Sequence, residues 1–415
     1  VSRQSELALK TAIVAPPSAF EGDAFKVVPH AGSKQLAIFM SASGAKPGSF
    51  NFVDAADELP ANRLFLNNGG RNEWYQGGVP GLGDDVDQTL HTLSLWARYL
   101  GAEEIVVVGQ GMGAHGAILY GTQLGARVLA FSPETTLKLP ASRSERLMAP
   151  DAPIRHQNLH GFVRAAEQPV TVIAGERDPV ELYCMSLATA LPNFQGRTLR
   201  RVGHDIPAYL HGRRLLVPLL QAFLAGEPLP PLQQDGNALR HEGFATYFYA
   251  LHVAHDRKEW NAAIRIGREV TKQNLWSDHA HYLLGLALMQ EGDHAEALRA
   301  FALADAILPD QPNYRFNLAT CFKKLGDYDQ AIAIHRKSMQ AFPRFAKPSY
   351  DLSLIYMQFG LYAKAQTFAA KAAKIEPANK GYAAHVKKIK ARVQKGSQPG
   401  DMSEEAVRMR AVYGA

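Results

Sequence analysis

Cysteine is almost missing from this chain. Cys184 and Cys321 are the two in 415 residues. They lie far apart, which excludes a disulfide framework and a cysteine-rich zinc site, and both thiols are expected to be buried and inert. Long apolar runs are missing too, so no segment reads as a membrane span. The opening stretch, 1–20, carries Arg3, Glu6 and Lys10 in place of a signal peptide's apolar core. A cytoplasmic protein is the expectation. A large charge of one sign is also lacking. The net charge is +6, with 20% charged and 47% hydrophobic residues, the balance of a folded globular chain and not of a disordered or fibrous one. The length exceeds what one core fills, so two domains are expected.

The basic residues are unevenly placed: 347–395 holds ten Lys and Arg against Asp351 and Glu376. No base-stacking motif accompanies them. A solvated helix surface is therefore expected, and nucleic acid is not the expected partner.

What is present is a period. Gly292, Gly326 and Gly360 are 34 residues apart, as are Ala297, Ala331 and Ala365, and Pro309, Pro343 and Pro377. These registers resemble the tetratricopeptide repeat, two antiparallel helices per unit, with glycine at the turn, alanine where the helices touch and proline after the second helix. The resemblance covers 244–380, with three clear repeats and one weaker, earlier unit. There Lys258 replaces the glycine and Leu275 the proline, while Ala263 keeps the small contact, as expected of a terminal repeat. The resemblance implies an all-α solenoid whose first helices line a groove for a protein or peptide partner. Phe248, Tyr282, Phe316 and Tyr350 recur at that spacing, with Met289 and Met357 further along the same helices. The same aromatics suit packing between neighbouring units. Apart from Lys347, the residues that clamp a chaperone's terminal carboxylate are absent, so such a tail is not the expected partner. A capping helix is expected over 381–394, with Tyr382, Val386, Ile389 and Val393 on one face. Asp401 and Glu404 have capping-box spacing for one more short helix in the tail, 396–415.

The N-terminal half alternates short apolar runs, at 36–40, 64–66, 105–108, 128–131, 170–174 and 199–202, with helical patterns at 87–99, 112–124, 180–191 and 209–224. Such alternation predicts a parallel sheet covered on both faces. The Pro-rich 226–231 stretch reads as a stiff linker. The expected division is 1–232, a linker at 233–243, and repeats with their cap at 244–395.

Within that half, Ile105-Val-Val-Val-Gly109-Gln110-Gly111-Met112-Gly113-Ala114-His115-Gly116-Ala117 reads as strand, tight turn and helix. It resembles the nucleophile elbow of the α/β-hydrolases, Gly-X-Ser-X-Gly, and Met112-Gly113 with Gly116-Ala117 is similar to the esterase-like branch. Downstream, Gly175-Glu-Arg-Asp178-Pro179 resembles the strand end that delivers the acid, and Val202-Gly203-His204-Asp205 the turn that delivers the histidine, in the family's chain order. The resemblance covers 25–224 and implies a three-layer α/β-hydrolase-like domain with a mostly parallel sheet. It puts Gly111 at the nucleophile position, Asp178 and His204 as acid and base, and the backbone N–H groups of Met112 and Ala42 as an oxyanion-hole-like pair.

Gly111 has no side chain to attack a carbonyl, and glycine accepts strained elbow geometry at little steric cost. The expectation is a non-catalytic hydrolase-like domain that binds a small ester or sugar or a partner. The alternative is an esterase-, deacetylase- or lyase-like enzyme using His204 and Asp178 with water or a substrate group. No metal or cofactor is expected. The loop 69–78 follows a strand end, where Trp74 and Tyr75 are expected at the pocket rim, either stacking on a ligand or plugging the emptied site. His115 reads as a packed or exposed helix residue.

Overall fold

The computed structural model describes residues 16–150, 152, 154–232, 234–394 and 404–414. The stretch 1–15 that bears on a signal peptide, and Asp401 of the expected capping box, lie outside the described residues. Cα packing divides the chain between Val253 and Ala254.

The first unit is built on a seven-stranded sheet, ordered β1-β3-β2-β4-β5-β6-β7. The strands are β1 Phe25–Val28, β2 Gln35–Met40, β3 Asn62–Leu66, β4 Glu104–Gln110, β5 Arg127–Phe131, β6 Val170–Gly175 and β7 Phe194–Leu199. β1 pairs antiparallel with β3, and every other pairing is parallel. The apolar runs of β4 to β6 follow from burial on both faces. Ile38, Met40, Val107 and Val128 face a core shared with Leu93 and Trp96 of α2 (Val86–Tyr99) and Ile118 of α3 (Met112–Gln123). Their strand neighbours Ala37, Phe39, Val106 and Leu129 face the opposite core, closed by α1 (Val53–Ala56), α7 (Ile206–Gly212) and α8 (Leu216–Ala225). Helix, sheet and helix form three layers. Strand order reverses at β2 and β4: the connection from β2 leads to one side and that from β4 to the other. The loops after these two strands part there and leave a crevice at their carboxyl ends.

Two expected elements differ. The last strand is Phe194–Leu199, not 199–202, because Gln195, Gly196 and Arg197 on this sheet edge interrupt the apolar pattern, and Arg201 turns at φ +63°. The helix expected over 209–224 is two helices, α7 and α8, parted where Gly212 is followed by Arg214 at φ +58°.

The helices that follow are α9 (Phe244–Asp256) and α10 (Trp260–Gln273), then three packed pairs, α11 (Asp278–Gln290) with α12 (His294–Ile307), α13 (Pro312–Lys324) with α14 (Tyr328–Ala341), and α15 (Lys347–Gln358) with α16 (Tyr362–Ile375), ahead of α17 (Lys380–Gln394). The division between the units falls within α9. Gly292, Gly326 and Gly360 take φ of +86°, +86° and +76° at the interhelix turns, and Lys258 takes +58° at the equivalent place. Ala297, Ala331 and Ala365 are fully buried. Helices α12, α14 and α16 each stop two residues before their proline, whose ring cannot continue the helix. A final helical segment, Glu405–Tyr413, winds with positive φ from Val407 to Tyr413, the costly hand for L-residues. Among the described residues no helix is long and apolar enough to cross a membrane.

Candidate functional site

The crevice of the sheet unit is shaped first by close backbone contacts. A Cβ on Gly109 would lie 2.1 Å from the Gly113 carbonyl oxygen, and one on Gly113 would lie 2.1 Å from that of Met40. Only glycine lets the end of β4 fold so sharply into α3 against β2. Gly111 sits between them as the cap residue of α3, at φ +55° and ψ −115°, a conformation strained for other residues.

Across from it stands His204, on the loop between β7 and α7. Its backbone carbonyl accepts from Ser132 Oγ at 2.8 Å and from the Ile206 N–H at 3.0 Å. A Cβ on Gly111 would lie 3.1 Å from both Cε1 and Nε2 of His204. The imidazole therefore stands over the place where an elbow side chain begins.

The carboxylate on the far side of the ring is Glu181, which hydrogen-bonds His204 Nδ1. The expected partner, Asp178, is engaged elsewhere. It caps α6 (Pro179–Ser186) by accepting from the Glu181 N–H at 3.1 Å, and it accepts from Arg143 Nη1 at 2.8 Å. The same Nη1 reaches Glu181 Oε1 at 3.1 Å. Asp178-Pro-Val-Glu181 has capping-box spacing, but only half of the box forms, because the Glu181 side chain turns to the histidine. That spacing makes Glu181 read as a helix cap, which hid it.

Burial works against the charge on Asp178, yet Arg143 outweighs it and holds the carboxyl below its usual range. Burial, helped by the charge of Asp178, pushes Glu181 up to about 7. Burial opposes the charged imidazole, but the bond from Glu181 prevails and raises His204 above the ordinary histidine value. Both directions describe one proton held between Nδ1 and Oε1. Asp178, Glu181 and His204 bring ligand atoms within 4.8 Å of one another, but Arg143 already supplies the cation among them.

A cavity of about 400 Å³ opens beside this group, lined by Ser43, Gln110, Arg143, Arg146 and His204 among others. Trp74 and Tyr75 do not form its rim. Both are buried, and both take positive φ. Tyr75 Oη donates to the Ser41 carbonyl at 2.9 Å, and its ring lies where a Cβ on Gly116 would stand. These rings neither cover a ligand nor plug the cavity; they are core. The Met112 N–H begins α3, where helix geometry leaves N–H groups without an intrahelical acceptor. The Ala42 N–H, its expected companion, donates to Asn51 Oδ1 at 2.8 Å and is not available as the second donor. His115 is buried, and burial pushes the Cys184 thiol up to about 12, which leaves it unreactive at neutral pH.

In the repeats, Tyr282, Met289, Phe316, Tyr350 and Met357 are half-buried. Tyr282 packs on Tyr314 at 4.8 Å and Tyr350 on Tyr382 at 4.9 Å, so each ring is partly used between neighbouring units. Lys347 Nζ lies 5.6 Å from the Phe316 ring centroid. Phe248 departs from this ladder: it is fully buried, stacked on Phe244 at 5.3 Å, and belongs to the first unit.

The tetratricopeptide repeat family matches residues 278–310 and 323–392, so the C-terminal region carries these repeats. A similar curated protein is the small glutamine-rich tetratricopeptide repeat-containing protein 2 of Mycosarcoma maydis, 27% identical over 95 residues, 23% of this chain and 27% of that protein. The chain thus spans about a quarter of that relative's length. Among solved structures, MamA of Desulfovibrio magneticus is 20% identical over 41% of this chain and 92% of its own, with a TM-score of 0.34. A thermophilic TPR protein of Thermus thermophilus is 17% identical over 40% and 88%, with a TM-score of 0.32. The Yersinia enterocolitica type III secretion chaperone SycD, solved with a peptide of the translocator YopD, is 17% identical over 27% and 91%, with a TM-score of 0.25.

Proposed function

We propose that this chain is a cytoplasmic interaction protein. Its tetratricopeptide repeats recruit a protein or peptide, and its sheet unit is an α/β-hydrolase-like domain disarmed at the nucleophile. Repeats of this kind suit partner binding, since stacked first helices present a continuous concave face. Tyr282, Met289, Phe316, Tyr350 and Met357 are the candidate groove residues. The observation that carries the reading of the sheet unit is at Gly111. A strained strand-to-helix turn, a histidine 3.1 Å from the missing Cβ, and a carboxylate behind that histidine give base and acid the arrangement of a serine hydrolase, without the serine.

The test is hydrolysis of activated short-chain esters and acetylated sugars by the natural chain, by Gly111→Ser and by His204→Ala. No turnover is expected except from Gly111→Ser, in which the imidazole must withdraw by a few tenths of an ångström to admit the new side chain. Turnover by the natural chain that disappears in His204→Ala would overturn the disarmed reading. It would favour an enzyme that uses the His204–Glu181 pair on water. The open cavity supports that second reading, but base and oxyanion donors alone retain only about 10³- to 10⁴-fold over water in a protease stripped of its triad, and here the Ala42 donor is occupied.

A further inference from the structure

The loop that carries Arg143 is held in part from beyond 1–232, the stretch expected to form the sheet domain. Lys138 and Ala141 take φ of +58° and +61°, and side chains larger than glycine keep such turns only where surrounding contacts over-determine them. Part of that support is close in sequence: Glu134 accepts from the Arg143 and Ser144 N–H groups at 2.7 and 3.0 Å. The rest comes from α9, past the Pro-rich stretch. Tyr249 Oη donates to the Pro140 carbonyl at 3.0 Å, and His252 Nε2 donates to that of Ala141 at 3.3 Å. The two side chains stand three residues apart on one face of α9.

The same tyrosine also reaches α6. Its ring stacks on Tyr183, with centroids 4.5 Å apart and planes 12° from parallel. Tyr183 is two residues from Glu181, which puts the two side chains on roughly opposite faces of the helix: Glu181 turns to His204, and Tyr183 turns to α9. Tyr249 thus joins the loop that bears Arg143 to the helix that bears Glu181, and those two side chains meet at 3.1 Å. We propose that Tyr249, with His252 beside it, is a positioning residue for the group at Gly111: α9 sets the place of Arg143 over the buried carboxylates, and so the charge that His204 meets. The crevice is then tied to the helix that leads into the repeats, and a displacement of α9 alters it. The proposal rests on the reading above that Glu181 and His204 are the acid and base of a hydrolase-like site.

The readout is the titration of the His204 imidazole in the full chain, followed by NMR of isotope-labelled histidine rings and assigned with His204→Ala. Glu181 and Asp178 face this ring with negative charge, and Arg143 faces it with positive charge, which weakens its hold on a proton. Tyr249→Phe combined with His252→Ala removes both bonds to the loop and keeps the stack. If Arg143 then drifts from its place, the His204 midpoint should rise by about half a pH unit, a roughly threefold gain in proton affinity, and amide exchange over 138–147 should quicken. Tyr249→Phe alone should give a smaller rise in the same direction, and it decides the matter if the double variant does not fold. Tyr247→Ala, at an exposed position on the same helix, should leave both readings unchanged. An unmoved midpoint, whether or not exchange quickens, would overturn the positioning role, as would an equal rise in Tyr247→Ala. None of these outcomes depends on turnover, so ester hydrolysis by Gly111→Ser judges the hydrolase reading separately.

Discussion

Mild acid should loosen the sheet unit through one side chain, His115. It is fully buried on α3. Its Nδ1 lies 2.7 Å from the Glu134 carbonyl oxygen and its Nε2 lies 3.0 Å from Gln76 Nε2. Since the carbonyl can only accept and the amide nitrogen can only donate, the ring is neutral with its proton on Nδ1. Burial pushes the pKa down to about 4, with the Glu134 bond opposing and His156 adding to the fall. In the unfolded chain the group titrates near 6.5. The folded state therefore binds fewer protons than the unfolded one between these values, and stability present above 6.5 is lost as pH falls towards 4. A gap of roughly 2.5 units, at 1.36 kcal/mol each, makes the full loss about 3 kcal/mol. Glu134, whose carboxyl burial raises, works in the opposite direction, so the comparison must be with a variant that keeps it. His115→Gln should be less stable than the natural chain at pH 7.5, because it loses the ring's shape and its bonds. Between pH 7.5 and 4.5 the natural chain should then lose about 2 to 3 kcal/mol more than the variant. Hydrogen exchange of the 112–123 segment, compared between the two proteins at each pH, reads this directly. Parallel curves would refute the assignment of a neutral, proton-resisting ring.

Two glycine predictions separate steric from conformational cost. Gly113→Ala drives a Cβ to 2.1 Å from the Met40 backbone oxygen, and with backbone on both sides nothing can yield. The sheet unit should lose more than about 3 kcal/mol and be recovered in soluble form only at low yield. Gly125→Ala, at φ +63° with open space around it, should cost only about 1 kcal/mol; equal losses for the pair would contradict the close approach of α3 to β2. In the repeats, Gly326→Ala meets nothing within 4 Å and suffers only from φ +86°. Thermal unfolding should report about 1 kcal/mol, and a much larger loss would mean that the turn also packs.

The repeats were legible because their signal recurs: glycine, alanine and proline registers each constrain the same helix pair, and the turn keeps its left-handed φ even where Lys258 replaces glycine. The inner strands were legible because burial on both faces writes unbroken apolar runs. The edges were not. β1 is four residues long and β7 is half polar, so neither carries a period that a sequence pattern can hold. Trp74 and Tyr75 were misjudged because a Gly-rich loop implies exposure. What makes room for the Tyr75 ring is the absence of a side chain at Gly116, a long-range contact with no local mark. Phe248 keeps the 34-residue spacing, but the packing boundary inside α9 gives its ring to the first unit. Spacing fixes a side chain's place on its helix, not which core covers it.

Glu181 leads to a sharper point about the pair itself. The group of Arg143, Asp178, Glu181 and His204 is mutually compensating: one guanidinium nitrogen serves two buried carboxylates, one of which holds the imidazole. Deleting any single member leaves a buried charge without its partner, a change that typically costs 3 to 5 kcal/mol. Stability alone is therefore enough to hold this histidine and carboxylate together, and their geometry cannot by itself argue for turnover. Gly111 is different, because a side chain there strains the backbone and crowds His204, and nothing in the packing requires one. The fold thus constrains His204 and Glu181 far more tightly than it requires any side chain at position 111.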